Sequence, residues 1–320
     1  MSADPLDCAP LRLEHLPRRR RQTASGGTAK EKKMGARKDL AAAAKRIADA
    51  LERIAPAPPA PARLGDAAAF LWDAETKRLR AARRVSAPPL RLLRGIDDQK
   101  DQLFENTRRF AAGAPANNAL LWGARGAGKS ALVKSIHGAI EEQSPGALKL
   151  IEIQREDIGT LPSLVALISD APERCLVFCD DLSFEALDTS YKALKSALEG
   201  GLEGRPDNMA FYATSNRKHL TPRLMAENAD AAAIRRGEAA QETTSLSDRF
   251  GLSPGFYPTS QDDFLAMVTG YGEALGLALQ GGALEREALA WAAGRGARSG
   301  RVAWQFITDV AAREGKPLSF

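Results

Sequence analysis

Cysteine, histidine and aromatic residues are all scarce in this chain. Three cysteines and three histidines occur among 320 residues, and Phe, Trp and Tyr together make 6%. Cys8, Cys175 and Cys179 stand at no metal-ligand spacing with histidine, and two of them fall in a run that reads as a buried strand. A disulfide framework, a zinc centre and a thiol nucleophile therefore have no support, and reduced core cysteines of a cytoplasmic protein are expected. His15, His137 and His219 form no triad or ligand pattern; His137 is expected on a helix surface and His219 in a loop. No stretch approaches about eighteen consecutive apolar residues, so no membrane-spanning helix is expected. The basic run near the start has no apolar segment behind it and does not read as a secretory signal.

Acidic surplus is lacking too, but the basic balance is local. The net charge is +5, yet residues 1–60 hold 13 Lys+Arg against 7 Asp+Glu, and residues 61–320 hold 32 against 33. The high pI belongs to the tail, and the near-neutral body gives no support to nucleic-acid binding. A hydrophobic fraction of 44% supplies material for a sizeable core in one large or two ordinary domains.

Composition and periodicity divide the chain. Residues 1–33, with "PRRRRQTASGGTAKEKK", read as a disordered basic tail. Residues 34–62 begin with a helix whose one face carries Leu40, Ala44, Ile47, Leu51 and Ile54, followed by the stiff spacer "APAPPAPA"; Met34 offers an alternative start. Residues 63–90 make a small appended element, in which "AAAFLWDAETKRLRAARRV" fits either two short strands around a turn at Asp73–Thr76 or a helix. From 91 to 258, apolar runs ("NNALLWG", "ALKLIEIQRED", "RCLVFCDDLSFE", "NMAFYATSN") alternate with helical patterns, which predicts an α/β core with a parallel sheet covered on both faces. Residues 259–320 read as wholly helical, a lid following the core.

The chemistry-bearing motif is "LLWGARGAGKSALVKS". Gly123, Gly128, Lys129 and Ser130 stand at the G-x-x-x-x-G-K-[ST] spacing, between a buried strand and an amphipathic helix. Such a loop turns successive backbone N–H groups of Gly123, Ala124, Arg125, Gly126, Ala127, Gly128, Lys129, Ser130 and Ala131 onto a polyphosphate at a helix start. Lys129 would reach the β and γ phosphates and Ser130 would hold Mg²⁺. Trp122 is expected to pack rather than react.

Hydrolysis needs more than a cradle. In "CLVFCDD" four apolar strand residues carry Asp180 to the sheet's carboxyl edge, where it would act beside Mg²⁺, and Asp181 would orient or deprotonate a water. Glu185 is a second candidate base. Asn216, ending "ATSN", is placed to fix that water, provided its strand neighbours the P-loop strand. Arg249 in "SLSDRFGL" is placed to project into a neighbouring subunit's nucleotide, or else to form a surface ion pair. Arg298 and Arg301, at the start of the last helix, are candidates for a lid contact to the γ phosphate, Arg301 being preferred.

These residues, in this order, resemble the motifs of an AAA+ ATPase. More narrowly, "LLRGIDDQK", "ANNALLWGARGAGKSALVKS", "LVFCDDLSFE", "YKALKSALEGGLEGRPDN", "YATSNRKHL" and "SLSDRFGL" resemble the bacterial family called domain of unknown function 815, over about residues 90 to 315. The resemblance implies a parallel-sheet P-loop NTPase core of AAA+ type with a C-terminal helical lid, ATP and Mg²⁺ binding, and homo-oligomeric assembly as a ring or filament. The leading reading is an ATPase whose assembly or lid motion remodels an unidentified protein or protein–nucleic acid partner. Asp181 stands where the commonest AAA+ pattern has Glu, which implies slow hydrolysis. It also keeps open an ATP-gated, DNA-associated adaptor of the loader type. "QREDIGTLPSL" lacks the aromatic of polypeptide-threading loops. A small-molecule kinase is a third reading, which leaves Asn216 and Arg249 without a role.

Overall fold

The computed structural model describes residues 29–54, 62–184, 190–200, 204–217, 220 and 248–318. Glu185, His219, the arginine run 18–21 and residues 55–61 of the Pro/Ala spacer lie outside them. The chain divides into two units, residues 1–60 and 61–320.

The first unit holds α1, Ala29–Ile54. It starts five residues ahead of Met34, within the segment expected to be disordered. The reason is local: Ala, Lys and Glu are strong helix formers, so "AKEKK" extends the helix without needing a core. Leu40 and Ile47 on its apolar face are exposed.

The second unit is built around one sheet. Its strands are β1 (Ala69–Asp73), β2 (Arg78–Ala81), β3 (Ala119–Gly123), β4 (Lys149–Glu152), β5 (Cys175–Cys179), β6 (Met209–Ser215) and β7 (Gly255–Phe256). Their spatial order is β2-β1-β4-β5-β6-β3-β7. Every neighbouring pair is parallel except the β1/β2 hairpin. Both fully buried strands, β5 and β6, read as continuous apolar runs because helices cover the two faces of a parallel sheet.

The helices are α2 (Asp97–Ala111), α3 (Lys129–Gln143), α4 (Leu161–Ile168) and α5 (Ser190–Glu199), then α6 (Gln261–Ala274), α7 (Gly281–Arg295) and α8 (Gly300–Arg313). Strand alternation sends Leu121, Leu150, Leu176, Phe178 and Tyr212 to the face covered by α2 and α3. Leu120, Ile151, Val177 and Phe211 go to the other face, against α4 and α5. A third core, Phe264, Val268, Leu284, Ala288, Phe306 and Ile307, holds α6 to α8 together as the lid. Leu92 packs into this lid core from the segment ahead of α2, which draws residues 88–96 beneath the lid.

Three expectations need correction or resolution. The ambiguous segment is the β1/β2 hairpin, with Thr76 N–H bonded to the Asp73 carboxylate in its turn, and β1 extends the main sheet through β4. Just before the lid lies β7, which no pattern in the sequence announced. Two residues flanked by Pro254 are too few to show alternation, and their pairing with β3 is a tertiary matter. His137 is buried, at 1% exposure, not on a helix surface: its face of α3 meets β1 and β4, where Nε2 lies 3.1 Å from the Ala68 carbonyl.

Candidate nucleotide site

The parallel strands end at one edge of the sheet, so whatever follows β3, β5 and β6 is gathered there. Register aligns Trp122 with Ser215 and Cys179 with Ala213. Because β6 lies between β3 and β5, its last residues stand between the glycine loop and the two acids.

After β3 the loop turns through Gly123, Gly126 and Gly128, all with positive φ. At Gly123 (φ 128°) a Cβ would lie 2.0 Å from the Phe256 carbonyl oxygen, so only glycine lets β7 approach here. At Gly126 a Cβ would meet the Ser299 hydroxyl at 2.9 Å, and the glycine admits the lid. Gly128 is the residue from which α3 starts, so the helix's unpaired N–H groups open into the loop.

Lys129 is 7% exposed and donates from Nζ to the Gly123 and Ala124 carbonyls (3.0 and 2.9 Å) and to Asn216 Oδ1 (3.3 Å). Burial pushes its ammonium below the ordinary lysine value, against the pull of Asp181 and Asp180. Ser130 Oγ donates to Asp180 Oδ1 at 2.5 Å. Asn216 Nδ2 donates to Asp181 Oδ1 at 2.6 Å. One hydrogen-bonded chain thus joins Lys129, Asn216 and Asp181, and a second joins Ser130 to Asp180.

The open cleft above this edge has a volume of about 1110 Å³. The loop residues, Asp180, Asp181 and Asn216 form its floor, Val85, Leu93 and Ile96 one wall, and Met267, Tyr271, Arg301 and Trp304 of the lid the other. Polar groups of the loop and the acids beside apolar side chains such as Leu93, Ile96 and Met267 suit a phosphate chain carrying a flat ring. The wall was not legible beforehand: Met267 reads as core, and nothing local marks Val85 or Trp304 as facing a ligand. Thr214 was also missed. It lies in β6, two residues before Asn216, and donates to Asp180 Oδ1 at 2.5 Å.

The arginines separate. Arg301 lines this cleft, whereas Arg298 lines a different hollow with Pro258 and Leu289. Arg249 does not line its own chain's cleft and pairs with Glu199 at the end of α5. Trp122 packs edge-on against Tyr257 and donates to the Ser253 carbonyl at 3.1 Å.

A cation can be tested against these donors. Among the described residues no group of three or more His, Cys, Asp or Glu is placed to hold a metal. One hydroxyl and one carboxylate, Ser130 and Asp180, are hard oxygen donors that fit Mg²⁺ completed by phosphate and water.

A strand carrying a glycine loop, separated from the strand leading to the two acids by the strand that leads to Asn216, followed by a helical lid, defines the class. This is an α/β P-loop NTPase fold of AAA+ type. The chain belongs to the family described as "Protein of unknown function (DUF815)", which matches residues 65–314. No curated protein matches it. Similar solved structures include Aeropyrum pernix ORC1 in complex with DNA (13% identity, TM-score 0.49, 71% of this chain and 65% of that one). Others are the Thermotoga maritima RuvB Holliday junction branch migration motor (14%, 0.39, 68% and 72%) and Aeropyrum pernix ORC2 with ADPNP and ADP (13%, 0.38, 72% and 71%). The class rests on the strand order and the site, not on these likenesses.

Proposed function

We propose that this protein binds ATP with Mg²⁺ and hydrolyses it in a homo-oligomer, a ring or filament, whose assembly and lid motion remodel a protein or protein–nucleic acid partner in the cytoplasm. The observation carrying the reading is the junction of Lys129, Ser130, Asp180, Asp181 and Asn216 at one sheet edge beneath a lid.

ATP's phosphates would occupy the turn from Gly123 to Ala131, with Lys129 leaving the loop carbonyls for the β and γ phosphates. Ser130 and Asp180 would hold Mg²⁺, which would supply neutralisation of the phosphate charge. Asn216 and Asp181 would hold water opposite the β–γ bridging oxygen. As the water oxygen bonds to the γ phosphorus and the bridging bond breaks, its proton passes towards Asp181, leaving ADP and phosphate. Arg301 would contact the γ phosphate from the lid. The position of Arg249 off its own cleft favours service to a neighbouring subunit, with Glu199 holding it until then.

Turnover per subunit is expected to rise steeply with protein concentration and to be lost in Arg249→Ala, since a trans arginine is worth about 10³ to 10⁵ in other NTPases. Flat, Arg249-independent turnover would remove the shared site. Asp181, one methylene shorter than a glutamate and engaged by Asn216, favours slow hydrolysis and with it a second reading, an ATP-gated adaptor or switch for which DNA is the partner to test. ATP-dependent, salt-sensitive DNA retention that survives deletion of residues 1–33 would select it.

A further inference from the structure

Asp181 is one of two non-glycine residues with positive φ among those described, at 51°. A left-handed aspartate two residues past a buried strand needs something to hold it there. Its carboxylate is held by Asn216. Its backbone N–H is shared between Asp180 Oδ1 at 3.1 Å and Thr214 Oγ1 at 2.9 Å.

Thr214 does more than accept that bond. It is 1% exposed, and its hydroxyl donates to Asp180 Oδ1 while accepting from Asp181 N–H. Its backbone carbonyl accepts from Leu182 N–H at 2.7 Å. Three consecutive residues of the acidic turn are therefore fastened to one residue of the adjacent strand. A hydroxyl has one hydrogen to give and lone pairs to receive with, so the two side-chain bonds fix each other's direction. A β-branched side chain in a packed strand has little freedom to turn the hydroxyl elsewhere.

We infer that Thr214 is a positioning residue. It sets the Asp180 carboxylate towards the Ser130 cation position and locks the Asp180–Asp181 peptide so that both acids face the γ phosphate. Lys129, Ser130 and the loop amides would bind nucleotide without it. The inference rests on the proposed ATPase reading for its catalytic consequence, but the metal orientation can be read separately.

Thr214→Val keeps the volume, the β-branching and the Leu182 bond and removes only the hydroxyl; Thr214→Ser keeps the hydroxyl. Each full-length variant is assayed for kcat and KM with ATP. Affinity for a fluorescent ATP analogue is titrated at fixed Mg²⁺ and then across Mg²⁺ concentrations, and thermal melting checks folding. Thr214→Val is expected to lower kcat about tenfold or more with KM and analogue affinity at saturating Mg²⁺ changed less than about threefold. It should also raise the Mg²⁺ concentration giving half of the Mg²⁺-dependent affinity gain. Thr214→Ser should restore most of both. Unchanged kcat and Mg²⁺ dependence in a folded Thr214→Val overturns the inference. So does Thr214→Ser being as impaired as Thr214→Val, because packing would then be responsible. A wild type that binds the analogue yet shows no turnover overturns the ATPase reading alone, and the Mg²⁺ titration then decides Thr214. If Thr214→Val does not fold, the serine variant decides, with wild-type-like kcat and Mg²⁺ dependence supporting the hydroxyl's role and their loss overturning it.

Discussion

Gly123 shows how one missing Cβ governs both the loop and the sheet. Its left-handed backbone and the Phe256 carbonyl 2.0 Å from a hypothetical Cβ make Gly123→Ala costly. The variant should lose at least about 2 kcal/mol of unfolding free energy in urea titration, since strain and displacement of β7 add. Lys129 makes the complementary case. Lys129→Ala should fold normally but weaken nucleotide binding by one to two orders of magnitude, the consequence of removing charged hydrogen bonds worth about 1.5–3 kcal/mol. Titration of a fluorescent ATP analogue reads that loss. The glycines and the lysine were legible because their spacing is enforced over eight consecutive residues. Thr214 was not, because its partners Asp180 and Asp181 come from another strand.

Along α3, the side facing the loop binds and the side facing the sheet supports. His137 is on the supporting side, and burial holds its imidazole below the usual histidine value, only partly opposed by the Leu148 and Ala68 carbonyls. Its Nδ1 is buried without a hydrogen-bond partner. The folded state therefore favours neutral imidazole, while the unfolded chain takes up a proton near pH 6.5. Stability from this group is complete above about pH 6.5 and declines as pH falls below it. Unfolding free energy measured from pH 7.5 to 5 should drop in the wild type and drop less steeply in His137→Gln. An amphipathic reading of α3 alone missed this residue, since one helix buried on two sides has no single apolar stripe.

Over the whole molecule, cleft formation depends on the lid staying folded over the loop. Phe306 lies at 1% exposure in the lid core, on the helix that carries Arg301 and Trp304. Phe306→Ala should cost about 3–5 kcal/mol. It should also weaken the ATP analogue's binding, without removing the α/β core's unfolding transition in circular dichroism. The same geometry explains the separation of Arg298 from Arg301. Ser299 caps α8 by accepting from Val302 N–H, and the chain turns there, leaving the arginine before it outside the cleft and the one after it inside.

Local interactions determined much of this protein by sequence alone. The glycine loop, the buried apolar runs and the helix periods are set by steric limits and hydrophobic patterning within a few residues. The alternation of strands with helices then led to a parallel sheet. Tertiary structure decided what depends on neighbours distant in the chain. Strand order placed β6 between β3 and β5 and so brought Asn216 and Thr214 to the two acids. Pairing with β3 made a strand of Gly255–Phe256, packing buried His137, and the lid turned Met267 and Trp304 into a cleft wall. Such contacts carry no periodic trace, because each is fixed by which surfaces meet and not by the residues beside it.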